Sequence, residues 1–193
     1  MITHVRGKLV EKNPTNVVID CNGVGYNLNI SLYTFSKLGN DELLQLYTHL
    51  QVKEDSHTLY GFAEKVERDI FRLLISVSGI GASIARTMLS SLTPSQVKDA
   101  IALENVATIQ SVKGIGAKTA QRVILDLKDK VLKIHDIDEV SYVSGNTNKE
   151  ESLSALETLG FNRKAAQKVV EKILASDPNI SVEGIIKEAL KKL

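Results

Sequence analysis

Two glycine turns are the residues in this chain whose type and spacing best suit a binding chemistry. The sequence Gly-Ile-Gly occurs at residues 79–81 and again at residues 114–116. The segments around the two turns align without a gap, because Ser76, Val77, Ala82 and Ala85 match Ser111, Val112, Ala117 and Ala120. Such self-similarity at a fixed spacing indicates an internal duplication.

A helical pattern surrounds each turn. An apolar helical stretch ends at the first glycine, and a new pattern begins directly after the last one. After the second turn, apolar residues recur at intervals of three and four, which marks one buried helix face. These residues are Ala120, Val123, Ile124 and Leu127. Glycine permits a tight turn, and the isoleucine between the glycines can fill the space between the two helices. The pattern therefore predicts two helical hairpins.

Each predicted hairpin offers an anion site. The N–H groups in the first turn of a helix have no acceptor within the helix, and the helix dipole adds partial positive charge there. In the second copy, Lys118 and Arg122 would flank this site with positive charge. The first copy has Ser83 and Thr87 at those positions, so we expect it to depend on its amides and on Arg86. The predicted phosphate-binding residues are Gly79, Gly81, Ser83, Arg86, Gly114, Gly116, Lys118, Thr119 and Arg122.

A plainer interpretation of the glycines is that they only turn the chain between two packed helices. A single copy would leave this interpretation and phosphate binding equally open. Two copies in register, one of them carrying Lys118, favour phosphate binding, and a pair of similar sites suits a polyanion with repeating phosphates. Phosphate contacts carry no sequence information, so the binding would be sequence-neutral.

Two nucleotide-binding loops are excluded by spacing. A Walker A loop needs glycine, lysine and threonine in succession, but Ala117 separates Gly116 from Lys118. A dinucleotide-binding fingerprint needs a third glycine, and Ile84 and Thr119 stand at that place in the two copies.

Composition and charge limit the class of protein. The chain has 193 residues, 43% of them hydrophobic and 24% charged, which is ordinary for one or two globular domains. No apolar run is long enough for a membrane span, and the sequence predicts neither a membrane span nor a secretory signal. A single cysteine, Cys21, excludes an internal disulfide and fits a reducing cytoplasm. The net charge is only +1, but residues 64–135 carry four more basic than acidic side chains, so the excess positive charge lies on the two hairpins.

The N-terminal residues 1–63 are predicted to form strands. Alternating apolar residues, a turn at residues 12–15 and the hairpin signal Asn22-Gly23 indicate about five strands. A short helix is expected near residues 32–38. Five short strands with one small helix predict a compact five-stranded β-barrel of the OB type.

An acidic turn, residues 53–56, is expected at the tip of the last hairpin of this barrel. The common interpretation of Lys-Glu-Asp-Ser is a solvated turn. A sharper interpretation is that Glu54 and Asp55 are held out as a point of negative charge. Metal-dependent cleavage would need further ligands, and none stands nearby in the sequence, so we predict no nuclease activity, no catalytic site, no metal and no cofactor.

Three further segments follow the barrel. Residues 64–134 are predicted to be an all-α domain that contains both hairpins, with Thr93 as a helix cap and Pro94 in the first helical turn. Residues 135–151 lack apolar periodicity and are predicted to be a flexible acidic linker. Residues 152–193 predict three short helices, which form a unit small enough to suggest a partner surface.

The duplicated turn resembles the helix-hairpin-helix, a module that holds duplex DNA by backbone amides. Together with Met1-Ile2, Gly7, the hairpin at residues 23–26, and Lys53-Glu54-Asp55 followed by residues 59–62, it resembles the RuvA family of bacterial Holliday junction branch migration proteins. The resemblance covers residues 1 to about 133 closely and the remainder more loosely.

This resemblance implies a structure-specific scaffold for four-way DNA junctions. It implies a homotetramer on an open junction, with Glu54 and Asp55 as an acidic pin at the crossover. It also implies that the third domain binds a hexameric RuvB-type ATPase, for which the contact residues would be Leu156, Leu159, Phe161, Ile185 and Ile186. It leaves open whether one or two tetramers bind a junction and whether a RuvC-type resolvase joins them.

A second function from another class stays open at this point. Helix-hairpin-helix modules also anchor DNA-repair enzymes such as glycosylases and nuclease subunits. A glycosylase would need a catalytic lysine or aspartate in a pocket just after a hairpin, and Asp126 and Asp129 are instead expected on an exposed helix face.

Overall fold

Alternating apolar residues close the N-terminal strands into a barrel. The computed structural model describes residues 1–39, 41–131, 147–178 and 180–193. The strands are β1 (His4–Asn13), β2 (Asn16–Cys21), β3 (Val24–Asn29), β4 (Leu43–Val52) and β5 (His57–Phe62), with the short helix α1 (Leu32–Lys37) between β3 and β4. Their order around the barrel is β1-β2-β3-β5-β4, and only β3 and β5 run parallel among these pairs. The predicted OB-type barrel is confirmed.

Local turn chemistry sets the strand register. Asn22 and Gly23 both have positive φ, 55° and 90°, so they form the two-residue turn that their sequence predicts between β2 and β3. The inward residues of the strands are fully buried and fill the barrel; Val17, Ile19, Leu28 and Leu46 are its centre.

Five helices follow the barrel and carry the duplicated turns. They are α2 (Lys65–Ile75), α3 (Ala82–Ser91), α4 (Pro94–Ala102), α5 (Val106–Gln110) and α6 (Ala117–Val131). Thr93 caps α4 as predicted, and Gln96 completes a capping box that the sequence analysis did not foresee. Leu103, which continues the apolar pattern after α4, is 79% exposed, because the chain leaves the helix there and enters a turn in which Glu104 has a φ of 55°.

The barrel and these helices pack as one compact unit. Phe71 on α2 contacts Tyr60 and Phe62 of β5, with ring centroids 5.0 and 4.9 Å apart. Two arginines of α2 add polar contacts, since Arg68 donates to the carbonyl of Thr3 (3.1 Å) and Arg72 to that of Thr48 (3.3 Å). The barrel and the helical segment, which are predicted as separate domains, are joined by these contacts.

A buried carboxyl group lies in the same contact. Glu67 of α2 has no exposed surface, and its two oxygens accept hydrogen bonds from the hydroxyls of Ser31 and Thr34 (2.6 Å for Thr34). Thr34 in turn accepts from the N–H of Ala63, in the link between β5 and α2 (3.0 Å). Glu67 therefore joins α1, this link and α2.

We expect this group to make stability depend on pH. Burial raises the pKa of Glu67 to about 7 against the bonds from Ser31 and Thr34, which lower it. Between the ordinary value of 4.5 and about 7, the folded protein keeps a proton that the unfolded chain has released. The free energy of unfolding should therefore fall as pH rises through this window and level off above it.

Glu67→Gln tests this expectation, because the amide is neutral at every pH. Relative to wild type, we expect the variant to gain up to about 3 kcal/mol between pH 5 and pH 8, measured by urea unfolding. Glu42→Gln, at an exposed site, serves as the control. Parallel pH profiles for the wild type and Glu67→Gln would contradict the assignment.

The C-terminal unit has its own core. Its helices are α7 (Thr147–Thr158), α8 (Arg163–Ser176) and α9 (Val182–Leu190). At the end of α7, Gly160 has a φ of 95° and Phe161 donates its N–H to the carbonyl of Leu156 (3.0 Å), so a glycine turn ends the helix. The core consists of Leu153, Leu156, Ala166, Val170, Ile173, Ile185 and Ala189.

Two predictions for this unit are wrong. Leu156 and Ile185 are fully buried in the core and cannot contact a partner, whereas Leu159 is 58% exposed and Phe161 and Ile186 are partly exposed. Residues 147–151 of the predicted linker are the start of α7, because Glu150 favours a helix N-terminus and pairs with Arg163 of α8 (2.8 Å). Residues 135–146 of that predicted linker lie outside the described residues.

Candidate nucleic-acid interface

The two glycine turns have nearly identical backbone geometry. Gly79 and Gly114 have φ angles of 96° and 95°, a conformation that side chains rarely adopt. In each turn the isoleucine N–H donates to the carbonyl of the valine three residues earlier, at 3.0 Å for Ile80 and 3.1 Å for Ile115. Both isoleucines are buried between their helices, as predicted.

The amides after each turn remain available to a ligand. In α3, the backbone bonds that reach back toward the turn begin with Ala85, which donates to the carbonyl of Gly81 (3.0 Å), and in α6 they begin with Ala120, which donates to Gly116 (2.9 Å). The N–H groups of residues 82–84 and 117–119 have no acceptor within the part of the chain that the structure describes. No side chain caps α3. Both turns therefore present unpaired donors at a helix N-terminus.

The second glycine of each turn borders open space. A Cβ atom added to Gly81 or Gly116 would meet no atom within 4 Å, and neither residue has a positive φ. Backbone conformation and internal packing therefore do not require glycine at these two positions. Glycine leaves room for an external group to approach the amides closely.

The two hairpins contact each other through equivalent positions. A Cβ on Gly79 would lie 3.9 Å from Cγ2 of Thr119, and one on Gly114 would lie 3.9 Å from Cγ1 of Ile84. Since Ile84 and Thr119 are matched by the duplication, the two contacts are reciprocal. The hairpins are thus related by an approximate twofold axis, and their amide groups are neighbours on one surface.

Positive charge on this surface is concentrated on the second hairpin. Lys118 and Arg122 are exposed, and no carboxylate among the described residues pairs with either of them. Lys113, which the sequence analysis did not select, is also exposed and directly precedes Gly114. Its position inside the turn was the signal that could have identified it.

Arg86 has a different partner from the predicted one. Its guanidinium donates to the side-chain oxygen of Asn29 (2.9 Å) and to the carbonyl of Thr15 (3.3 Å), both in the barrel. Arg86 is therefore held against the barrel by these two bonds. The first hairpin then offers amides and the hydroxyls of Ser83 and Thr87, and Thr87 already donates to the carbonyl of Ser83 (3.0 Å).

The acidic turn lies at the end of the β4–β5 hairpin. It is closed by a bond from the Lys53 N–H to the Ser56 carbonyl (2.8 Å), and the strands pair up to Val52 and His57. Glu54 and Asp55 are exposed at its tip. The hydroxyl of Ser56 donates to Asp55 (3.2 Å), and no ion pair involves Glu54 among the described residues. A hydrogen-bonded strand pair therefore presents two adjacent carboxylates to solvent.

Neither a metal site nor a membrane helix is found in the described ranges. No three histidine, cysteine, aspartate or glutamate side chains there are grouped so that they could hold a metal ion. The described helices are also too short or too polar to cross a membrane.

Comparisons with known proteins agree with this geometry along the chain. Residues 1–61 match the RuvA N terminal domain, residues 71–129 the SAM-like helix-hairpin-helix tandem, and residues 147–193 the RuvA C-terminal domain. The Holliday junction branch migration complex subunit RuvA of Christiangramia forsetii is 72% identical over all of both chains. The chain belongs to the RuvA family. RuvA of Flavobacterium psychrophilum is 66% identical over all of both chains, and RuvA of Cytophaga hutchinsonii is 49% identical over 99% of each.

Proposed function

We propose that this protein binds four-way DNA junctions without sequence preference and is the scaffold subunit of an ATP-driven branch migration complex. Two turns with unpaired amides beside open space carry this proposal, since they offer phosphate contacts at two neighbouring points of one surface. The family supports the junction as the DNA substrate, because its relatives are named as subunits of that complex.

The acidic turn would make binding depend on the structure of the DNA and not on its base sequence. Carboxylates at the tip of a hydrogen-bonded strand pair repel phosphates that approach them, and the repulsion rises where several strands crowd together. A four-way junction opens a space at its centre, whereas linear duplex would have to place phosphates against Glu54 and Asp55. We therefore assign these two residues as the acidic pin.

The chain would act in the cytoplasm as a homotetramer with a motor. It has no phosphate-binding loop of the Walker type, so ATP hydrolysis would belong to a RuvB-type hexamer. The C-terminal unit is the proposed contact, through the exposed residues Leu159, Phe161 and Ile186. The repair-enzyme alternative is not favoured, because Asp126 and Asp129 lie exposed on α6.

The phosphate contacts can be tested by removing charge from the second hairpin. Lys118→Ala combined with Arg122→Ala should weaken binding to all junction sequences equally, and it should flatten the plot of log affinity against log salt by up to about 1.8. Band-shift titrations at several salt concentrations give both quantities.

Two exposed lysines away from the glycine turns provide the matched control. Lys65→Ala with Lys130→Ala removes the same charge from α2 and from the far end of α6, and no carboxylate among the described residues pairs with either lysine. We expect a smaller change of slope in this variant. A sequence-selective loss from the Lys118 and Arg122 variant would refute phosphate binding at this hairpin.

A further inference from the structure

The C-terminal unit carries a row of lysines that the proposed function does not use. Lys164, Lys168 and Lys172 recur every four residues on α8, and all three are exposed. They lie opposite the buried residues Ala166 and Val170, so they share one outward face, which we call the lysine face. Successive lysines stand about 6 Å apart along the helix axis.

The ammonium groups of this face are not neutralised within the described residues. No carboxylate pairs with any of the three lysines there. Glu171, their acidic neighbour on α8, is bonded to Lys149 of α7 (2.8 Å) and to Gln167 (3.0 Å). The carboxylate that could shield the lysine face is therefore engaged by the neighbouring helix.

Four other basic residues in the described part of the same unit are paired, and one of them is Lys149, described above. Arg163 bonds to both Glu150 and Glu157, at 2.8 and 2.6 Å. Directly after α9, Lys191 and Lys192 both contact Glu188 of that helix, at 2.8 and 3.8 Å. Lys187 of α9 also has no carboxylate partner among the described residues, but it is a single charge, whereas the lysine face groups three uncompensated positive charges.

The chemistry of this face suits a polyanion better than a protein surface. Lysine is depleted in the cores of protein interfaces, which favour aromatic and apolar anchors. Duplex DNA carries about one charge per 1.7 Å of axis, so a row of ammonium groups meets several phosphates at once. The unit is also covalently joined to the DNA-binding hairpins, which raises the local concentration of duplex around it.

We propose that the lysine face binds the sugar-phosphate backbone of a junction arm and gives the complex a third, sequence-neutral DNA contact. The proposal rests on the proposed function, because the hairpins supply the main affinity. It assigns DNA contact to one face of the C-terminal unit and leaves the exposed apolar residue Leu159 to the motor.

The test replaces the three lysines in the full-length protein. Lys164→Ala, Lys168→Ala and Lys172→Ala together should weaken binding to long-armed junctions about tenfold at low salt and flatten the salt dependence by up to about 2.7. The corresponding triple arginine variant should retain the wild-type slope. The α9 control, Lys187→Ala with Lys191→Ala and Lys192→Ala, removes equal charge from α9 and the two residues that follow it, and it should change the slope less.

Three outcomes would overturn the proposal. The first is an unchanged slope in the α8 variant while the Lys118 and Arg122 variant still loses affinity, which would leave the proposed function standing. The second is an equal loss in the α9 control, which would indicate net charge alone. The third is normal DNA binding with lost binding to a RuvB-type ATPase, which would make the lysine face a protein contact; Leu159→Asp provides the reference for that loss. Circular dichroism verifies that each variant is folded.

Discussion

Replacing Gly81 and Gly116 together by serine should reduce junction affinity at least about a hundredfold while leaving the protein as stable as wild type. Gly81 is the N-cap of α3, and Ala120 donates to Gly116 in the equivalent place in α6. Serine is a good N-cap, so its hydroxyl would accept from the amides that phosphate would otherwise use. Its side chain would also occupy the open space beside each turn.

The double serine variant should therefore lose junction affinity without losing stability. Since glycine and serine differ by only a few tenths of a kcal/mol as N-caps, thermal unfolding should change little. Gly81→Ala with Gly116→Ala distinguishes the two causes, because a methyl group fills the space without accepting a hydrogen bond, and we expect an intermediate loss. Gly114→Ala should behave in the opposite way, with lost stability, because its φ of 95° strains any side chain. Wild-type affinity in the double serine variant would exclude amide binding.

Neutralising the acidic turn should reduce the preference for junction over linear duplex about tenfold. Glu54→Gln with Asp55→Asn keeps the shape of both side chains and removes the repulsion of phosphates. We expect duplex affinity to rise more than junction affinity, and the difference to shrink at high salt because exposed charges are screened. Competition binding between labelled junction and unlabelled duplex measures the ratio directly.

A second pair of exposed acids on the barrel unit controls for net charge. Glu11→Gln with Asp41→Asn also removes two negative charges, but away from the β4–β5 tip. This variant should bind both DNA forms slightly better and keep the ratio. An unchanged ratio in the Glu54 and Asp55 variant would show that the acidic turn is only a solvated loop.

Turns and helix caps that depend only on neighbouring residues could be predicted from the sequence. The duplicated glycine turns, the Asn22-Gly23 turn and the Thr93 cap each depend on a few neighbouring residues, and each has the expected geometry. The burial of the two isoleucines could be predicted in the same way, because the side chain between two such glycines fills the space between the two helices.

Features that depend on tertiary contacts could not be predicted. Arg86 follows the hairpin in sequence, but its partners Thr15 and Asn29 come from a strand region far along the chain. Leu156 and Ile185 have the apolar character of a partner surface, and only the packing of three helices shows that they are core. From the sequence, Glu67 would be expected on the solvated face of α2. In the structure it is buried and accepts hydrogen bonds from Ser31 and Thr34 at the start of α1.

The reciprocal contacts between the hairpins have a consequence for movement along DNA. A duplex has local dyads perpendicular to its axis, because its strands run in opposite directions. A protein surface with an approximate dyad of its own can place one hairpin on each strand in the same orientation relative to that strand. Its phosphate contacts are then the same if the duplex is turned end for end. Such a surface has no preferred direction of travel, so the direction must be imposed from outside this subunit.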